Sequence, residues 1–216
     1  MEPHLLLAPW DCLPFGQFTF NTVIMNSDRP GLLIIDVQQG FEDSQWGTRN
    51  NPDAEQHIEQ LLRYWRAHQL PVFHVQHASR SEESPPHPSR PGFAIKEPFR
   101  PREDEPLIQK KVNAAFIGTN LQEILQENDI ETLVIVGLTT NHCVSTTARM
   151  AGNLGFESYL ISDATAAFDR TSHTGTYYSA RQIHDISLAN IHGEFATVCD
   201  TSEILHMLDS PERVLK

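Results

Sequence analysis

The stretch GLTTNHCVSTTARMAGNLGF, residues 137–156, sets a cysteine where two local patterns meet. Before it, TLVIVG (Thr132–Gly137) is an apolar, β-branched run closed by glycine. After it, Val144 to Leu154 reads as a helix. A thiol at such a junction faces backbone N–H groups that have no partner within the helix. The helix dipole adds about half a positive charge there. Both effects favour the thiolate, which is the nucleophilic form. The competing role for Cys143 is that of a small buried hydrophobe.

Two more reactive groups close apolar runs in the same way. Asp36 ends LLIID, and Lys110 lies at the end of LIQKK. A carboxylate, an ammonium and a thiol on one rim can run nucleophilic acyl chemistry. Asp36 can take the thiol proton and return it to a leaving amine. Lys110 can hold both anions by charge. Cys143 can attack a carbonyl carbon and form a covalent intermediate that water cleaves. Taken singly, Asp36 could cap a turn and Lys110 could be a solvated lysine; their joint placement favours chemistry.

The elements that must position these groups alternate along the chain. LLIID is uniformly apolar, as in a strand buried on both faces. AEQHIEQLLRYWRAH, from Ala54, has Ile58, Leu61, Leu62 and Trp65 at helical spacing, with Asp53 near its cap. LPVFHVQH is a second strand and LIQKK a third. TNLQEILQEN is a helix with Thr119 or Asn120 as cap. TLVIVG, ESYLIS (Glu157–Ser162) and EFATVC are further strands, and SARQIHDISLANIH is a helix. This order predicts a doubly wound, Rossmann-like α/β fold, with a mostly parallel sheet of about six strands and helices on both faces. In such sheets ligands bind at the carboxyl ends of the strands, where Asp36, Lys110 and Cys143 all fall. The segment from Ala78 to Pro106 is rich in Pro, Ser and charge and is too long for a plain connector. It reads as a loop over a site. Residues 1–29 lack periodicity and read as an N-terminal extension outside the core, with the domain spanning 30–216.

Bulk properties bound the function. The net charge of −12 argues against nucleic acid and anionic membrane as partners. No apolar run approaches the roughly 20 residues of a membrane-spanning helix. The N-terminus has no basic flank before its apolar patch, so it makes a poor secretory signal. Three widely spaced cysteines, Cys12, Cys143 and Cys199, form neither a disulfide framework nor a zinc pattern. A reducing cytoplasm is the expected compartment.

The motifs LLIIDVQQGF, KKVNAAFIGTNL, GLTTNHCVSTTARMAGNLGF and SDATAAFDR (Ser162–Arg170), in this order, resemble the isochorismatase-like cysteine hydrolases, the superfamily of nicotinamidases, carbamoylases and isochorismatases. The resemblance runs from about Leu32 to Val198. It implies an Asp–Lys–Cys triad at Asp36, Lys110 and Cys143. Of the two adjacent lysines, the family's place is six residues before Phe116, which is Lys110. Strand alternation turns Lys111 to the other face. The resemblance also implies a non-proline cis bond at Leu138–Thr139, with the N–H groups of Thr139 and Cys143 aimed at an oxyanion. It implies a homo-oligomer too, a dimer or tetramer, and Phe93, Ile95 and Phe99 of the long loop are expected to anchor on a partner.

Departures from the family narrow the chemistry. True isochorismatases cleave a vinyl ether and lack this cysteine, so Cys143 points to an amide or similar carbonyl substrate. Nicotinamidases carry an Asp-x-His metal motif that is absent after Asp36, so no metal or cofactor is expected. His74 and His77 are spaced to face one side of the second strand, and His77 is expected to shape the pocket or hydrogen-bond near the triad. Phe41, Trp46 and Phe116 are candidates for an apolar wall. Asn113 and Asn141 are candidates for orienting an amide, and Trp46 and Arg49 for overhanging the site. The rival readings are a vinyl-ether hydrolase and a non-catalytic binding protein on the same fold.

Overall fold

The computed structural model describes residues 25, 27 and 29–210. Six strands form one sheet: β1 (Gly31–Ile35), β2 (Val72–His77), β3 (Leu107–Lys110), β4 (Thr132–Leu138), β5 (Glu157–Ala166) and β8 (Thr197–Cys199). Their order is β3-β2-β1-β4-β5-β8, and every neighbouring pair is parallel. A separate ribbon pairs β6 (Arg170–Thr171) with β7 (Tyr177–Tyr178). The chain leaves β1 toward one edge and returns to build the other half from β4. The crevice between the ends of β1 and β4 is therefore the switch point of the winding.

Alternation explains why these strands are apolar throughout. Leu33 and Ile35 of β1, Leu133 and Ile135 of β4 and Leu160 of β5 face one core. Helices α2 (Leu121–Glu127), α3 (Ser145–Asn153) and α4 (Ala180–Ala189) cover it with Leu121, Leu125, Ala148, Ala151 and Leu188. Leu32, Ile34, Val134, Val136, Tyr159 and Ile161 face the opposite core. Helices α1 (Ala54–Ala67) and α5 (Thr201–Asp209) close that side with Ile58, Leu61, Leu62, Trp65, Ile204 and Leu208. Helix α5 has no counterpart in the sequence reading. Its signal is a reciprocal capping box in which Asp200 accepts from the Glu203 N–H and the Glu203 side chain accepts from the Asp200 N–H. Among the described residues no helix is long and apolar enough to cross a membrane.

Two features differ from expectation near the chain start and in the long loop. Met25, inside the stretch read as an extension outside the core, is buried against the α1 side of the sheet. Apart from Met25, Ser27 and Arg29, residues 1–29 lie outside the described residues. In the segment 78–106, Phe99 is buried in the chain's own core, so it is not free to anchor on a partner, and the partly buried Ile95 packs against the same core. The loop is bound to the sheet instead. Gln38 and Gln76 both donate to the Phe93 carbonyl, at 2.8 and 2.9 Å. The buried Glu105 accepts from Arg66, from the Arg102 N–H, and through His74.

Position 137 is where the two halves of the sheet meet most closely. Gly137 has φ +122°, and a Cβ placed there would lie 2.0 Å from the Ile35 carbonyl oxygen. Only glycine lets β4 pair with β1 at this height, three residues before the turn Thr140–Val144 that carries the thiol. Gly137→Ala is therefore expected to cost more than about 2 kcal/mol of stability. It should appear as a lower urea midpoint at unchanged slope; a near-neutral midpoint would show that the strands part easily here.

Candidate active site

Three strand ends converge on the Lys110 ammonium. Its Nζ donates to Asp36 Oδ2 at 2.6 Å, to Cys143 Sγ at 3.1 Å and approaches His77 Nδ1 at 3.2 Å. Asp36 is 0% exposed, Lys110 1% and Cys143 6%, so the triad is nearly closed to bulk solvent. Lys110 points into the core-facing side because Ile108 and Lys110 are the buried residues in the alternating pattern of β3. Lys111 is exposed. Asp36 sits just past β1 with φ +53°, a left-handed conformation that aspartate tolerates better than most residues. Its Oδ1 is buried and makes no hydrogen bond to the described residues.

The nucleophile turn differs in detail from a strand handing over to a simple helix. Thr140–Val144 forms a π-helical turn that runs directly into α3, so Cys143 lies within the first turn. The Leu138–Thr139 peptide is cis. Burial pushes the Cys143 thiol well above its ordinary pKa. The Asp36 charge adds to this, and Lys110 pulls the other way without overcoming it. Burial and the Asp36 charge therefore favour the protonated sulfur, opposite in sense to the helix-start effect. Burial also works against the Lys110 charge, but Asp36 and then Cys143 outweigh it and hold the ammonium above its usual range.

The remaining candidates separate into neighbours of the triad and structural residues. His77 and Asn113 are neighbours; the thiol donates weakly to Asn113 Oδ1 at 3.8 Å. Phe41 stacks on Trp46 at 5.4 Å between centroids, and Trp46 on Phe168 at 6.0 Å, packing beside Leu138 and Ala166. This aromatic group flanks the end of β4. Phe116 instead stacks on Phe156 in the core beneath the sheet. Asn141 keeps a buried, unpartnered Oδ1. His74 and His77 do not share a face: residues three apart on a strand point oppositely. His74 is spent on Glu105, at 2.8 Å. Arg49 forms an ion pair with Glu55, whose pKa falls to about 2. Burial opposes that fall, and Arg49 and Lys96 outweigh it.

Several supporting residues escaped the sequence reading. Gln38, fully buried, clamps the end of β2 by accepting from the His77 N–H at 2.9 Å and donating to its carbonyl at 3.1 Å. Between Ile135 and Gly137 the β4–β5 register jumps from Leu160 to Thr165. Asn51 Nδ2 donates to the Ser162 and Thr165 carbonyls within or at the end of that irregular stretch, at 2.9 and 2.7 Å. His184 links Asn51 to Thr140 of the nucleophile turn, its Nδ1 lying 2.9 Å from Thr140 Oγ1. The paired asparagines Asn50 and Asn51 before Pro52 were the available signal, since asparagine satisfies irregular backbone.

The Isochorismatase domain family matches residues 30–203. The chain belongs to the isochorismatase family of hydrolases. YrdC, an isochorismatase family protein of Bacillus subtilis, is 52% identical over 179 residues, covering 83% of this chain and 96% of that protein. A crystal structure described as a hydrolase of the isochorismatase family from Chromobacterium violaceum is 44% identical, with a TM-score of 0.83, covering 86% of this chain and 96% of its own. Nicotinamidase 3 of Arabidopsis thaliana is 30% identical over 102 residues, 47% of this chain and 46% of that protein.

The geometry separates the two adjacent lysines. Lys110→Ala leaves Asp36 and the sulfur without their shared cation, so the thiol pKa rises further. Alkylation of Cys143 by iodoacetamide is expected to slow about tenfold or more at neutral pH and to recover partly at alkaline pH. Lys111→Ala should match the wild type. A slow Lys111 variant beside a normal Lys110 variant would overturn the register of β3.

Proposed function

We propose that this chain hydrolyses a small amide-type substrate through a covalent acyl-enzyme on Cys143. The observation that carries this reading is one ammonium bonded at once to a carboxylate and a thiol in a buried crevice. Asp36 takes the S–H proton as the sulfur attacks the carbonyl carbon. The Thr139 and Cys143 backbone N–H groups receive the oxyanion. The tetrahedral species expels the amine, which leaves with the proton held by Asp36. Water then gives a proton to Asp36 and attacks the thioester. The acid departs and the sulfur regains its proton. The sum is amide plus water to acid plus amine.

Burial and the Asp36 charge, which raise the thiol pKa, fit this scheme. Deprotonation is coupled to attack, and Lys110 is in place to hold the thiolate when it forms. A vinyl ether offers the sulfur no acyl carbon, which sets that reading behind the amidase. A purely binding role leaves the buried ion pair unaccounted for, because removing such charges from water costs several kcal/mol per ion. The Phe41–Trp46–Phe168 stack supports a compact, partly apolar substrate. The amide cleavage named for nicotinamidase 3 accords with the scheme.

Screening small primary amides, ureas and lactams for ammonia or acid release tests the reaction class. Cys143→Ala is expected to reduce hydrolysis to background with the fold kept, while Cys199→Ala retains activity. Substantial turnover by folded Cys143→Ala would remove the covalent mechanism. Activity is also expected to survive exhaustive chelation, because the Lys110 ammonium already occupies the space between Asp36, His77 and Cys143, whose donor atoms lie within 4.8 Å of one another. Loss on chelation with recovery on added zinc, manganese or iron would contradict this.

A further inference from the structure

An ammonium has three N–H donors. Asp36 and Cys143 take two of those of Lys110, leaving a third in a place that is 1% exposed. His77 and Lys110 are register partners across the parallel β2–β3 pair, so their side chains leave the sheet side by side on one face. His77 Nδ1 lies 3.2 Å from Nζ. An ammonium cannot accept, so the contact is productive only if Nδ1 is unprotonated and the ring carries its proton on Nε2. The backbone at this position is held on both sides by the fully buried Gln38 amide.

We infer that His77 is a positioning residue of the active site: as the neutral Nε2–H tautomer it accepts the third Lys110 N–H and completes the cage that aims the ammonium at Asp36 and Cys143. This rests on the proposed role of Cys143 and extends it. The charged or titratable groups that reach the ring within the site are Lys110 from β3, Asp36 after β1 and Cys143 from the nucleophile turn. Burial, and then the Lys110 charge, lower the His77 pKa against the pull of Asp36, which keeps the ring neutral near neutral pH. When the ring does take a proton it can no longer accept. It then becomes a second cation beside Lys110, and the ammonium loses its seat. A step of thiol-reactivity loss in the histidine range on the acid side is therefore expected to follow His77.

Alkylation of Cys143 by iodoacetamide, followed across pH by mass spectrometry of the full chain, tests this without knowing the substrate. In His77→Asn, the side-chain Oδ1 can replace Nδ1 as acceptor but does not titrate. Its neutral-pH rate is expected within about threefold of wild type, and its acid-side step in the histidine range should vanish. His77→Phe keeps a ring but no acceptor. It should be slower by about tenfold or more at neutral pH, with its alkaline midpoint moved upward. A His77→Phe profile equal to wild type, or a histidine-range step that persists in His77→Asn, overturns the inference. Should His77→Phe fail to fold, the acid step in His77→Asn decides alone. A wild-type Cys143 that stays unreactive at every pH overturns both this inference and the nucleophile assignment, whereas a reactive Cys143 indifferent to residue 77 overturns only the inference.

Discussion

A lysine ammonium buried to 1% exposure is the constraint around which this molecule is arranged. Its hydration is lost, and only close anionic and polar acceptors can offset that loss. Asp36 at 2.6 Å supplies a full opposite charge, and the sulfur at 3.1 Å supplies a soft acceptor. No single element can deliver such a set. Residues 36, 110 and 143 follow three different strands, and a parallel sheet is the arrangement that brings strand C-termini to one edge. The fold thus answers an electrostatic requirement, with the cation reaching from the edge strand β3 across the end of β2 to the switch point.

Holding that set in place requires precise backbone beyond the strands. Gly137 lets β4 lie against the Ile35 carbonyl, which fixes the height of the turn relative to Asp36. The irregular stretch of β5 would strand carbonyls inside the protein, and Asn51 satisfies two of them. His184 extends the same network to Thr140. Gln38 performs the corresponding task on the other side by fastening β2 and the long loop to the tail of β1. Each of these polar side chains is committed by several hydrogen bonds, which is the condition under which buried polar groups confer order.

Much of this was legible in the sequence where burial imposes a period. Uniformly apolar β1 and β4 announce strands covered on both faces, and alternation in LIQKK separates Lys110 from Lys111. What escaped shows where period fails. His74 and His77 were read as sharing a face, although three steps along a strand reverse it, and their partners Glu105 and Lys110 lie on opposite sides. Helix α5 hid because nine residues between a capping box and Ser210 give a weak stripe. Phe116 looked like a pocket residue from its place in the KKVNAAF motif, but packing against Phe156 is a tertiary fact. Gln38 and Asn51 act on backbone distant in sequence, which no local pattern encodes.

The thiol shows how a local argument can be opposed by its tertiary surroundings. A cysteine in the first turn of a helix gains from the dipole, and that gain alone would favour a thiolate. In this chain desolvation and the Asp36 carboxylate, which share the crevice, push the thiol pKa the other way. A standing thiolate would meet the Asp36 charge directly and would be open to oxidation. In the proposed reaction the proton moves to Asp36 only as a carbon–sulfur bond forms, which avoids both. Lys110 contacts both the carboxylate and the sulfur, so the ammonium stays paired on whichever of them the charge lies. The proposed reaction thus holds the sulfur back by burial until an electrophile arrives, with Asn113 Oδ1 beside it at 3.8 Å.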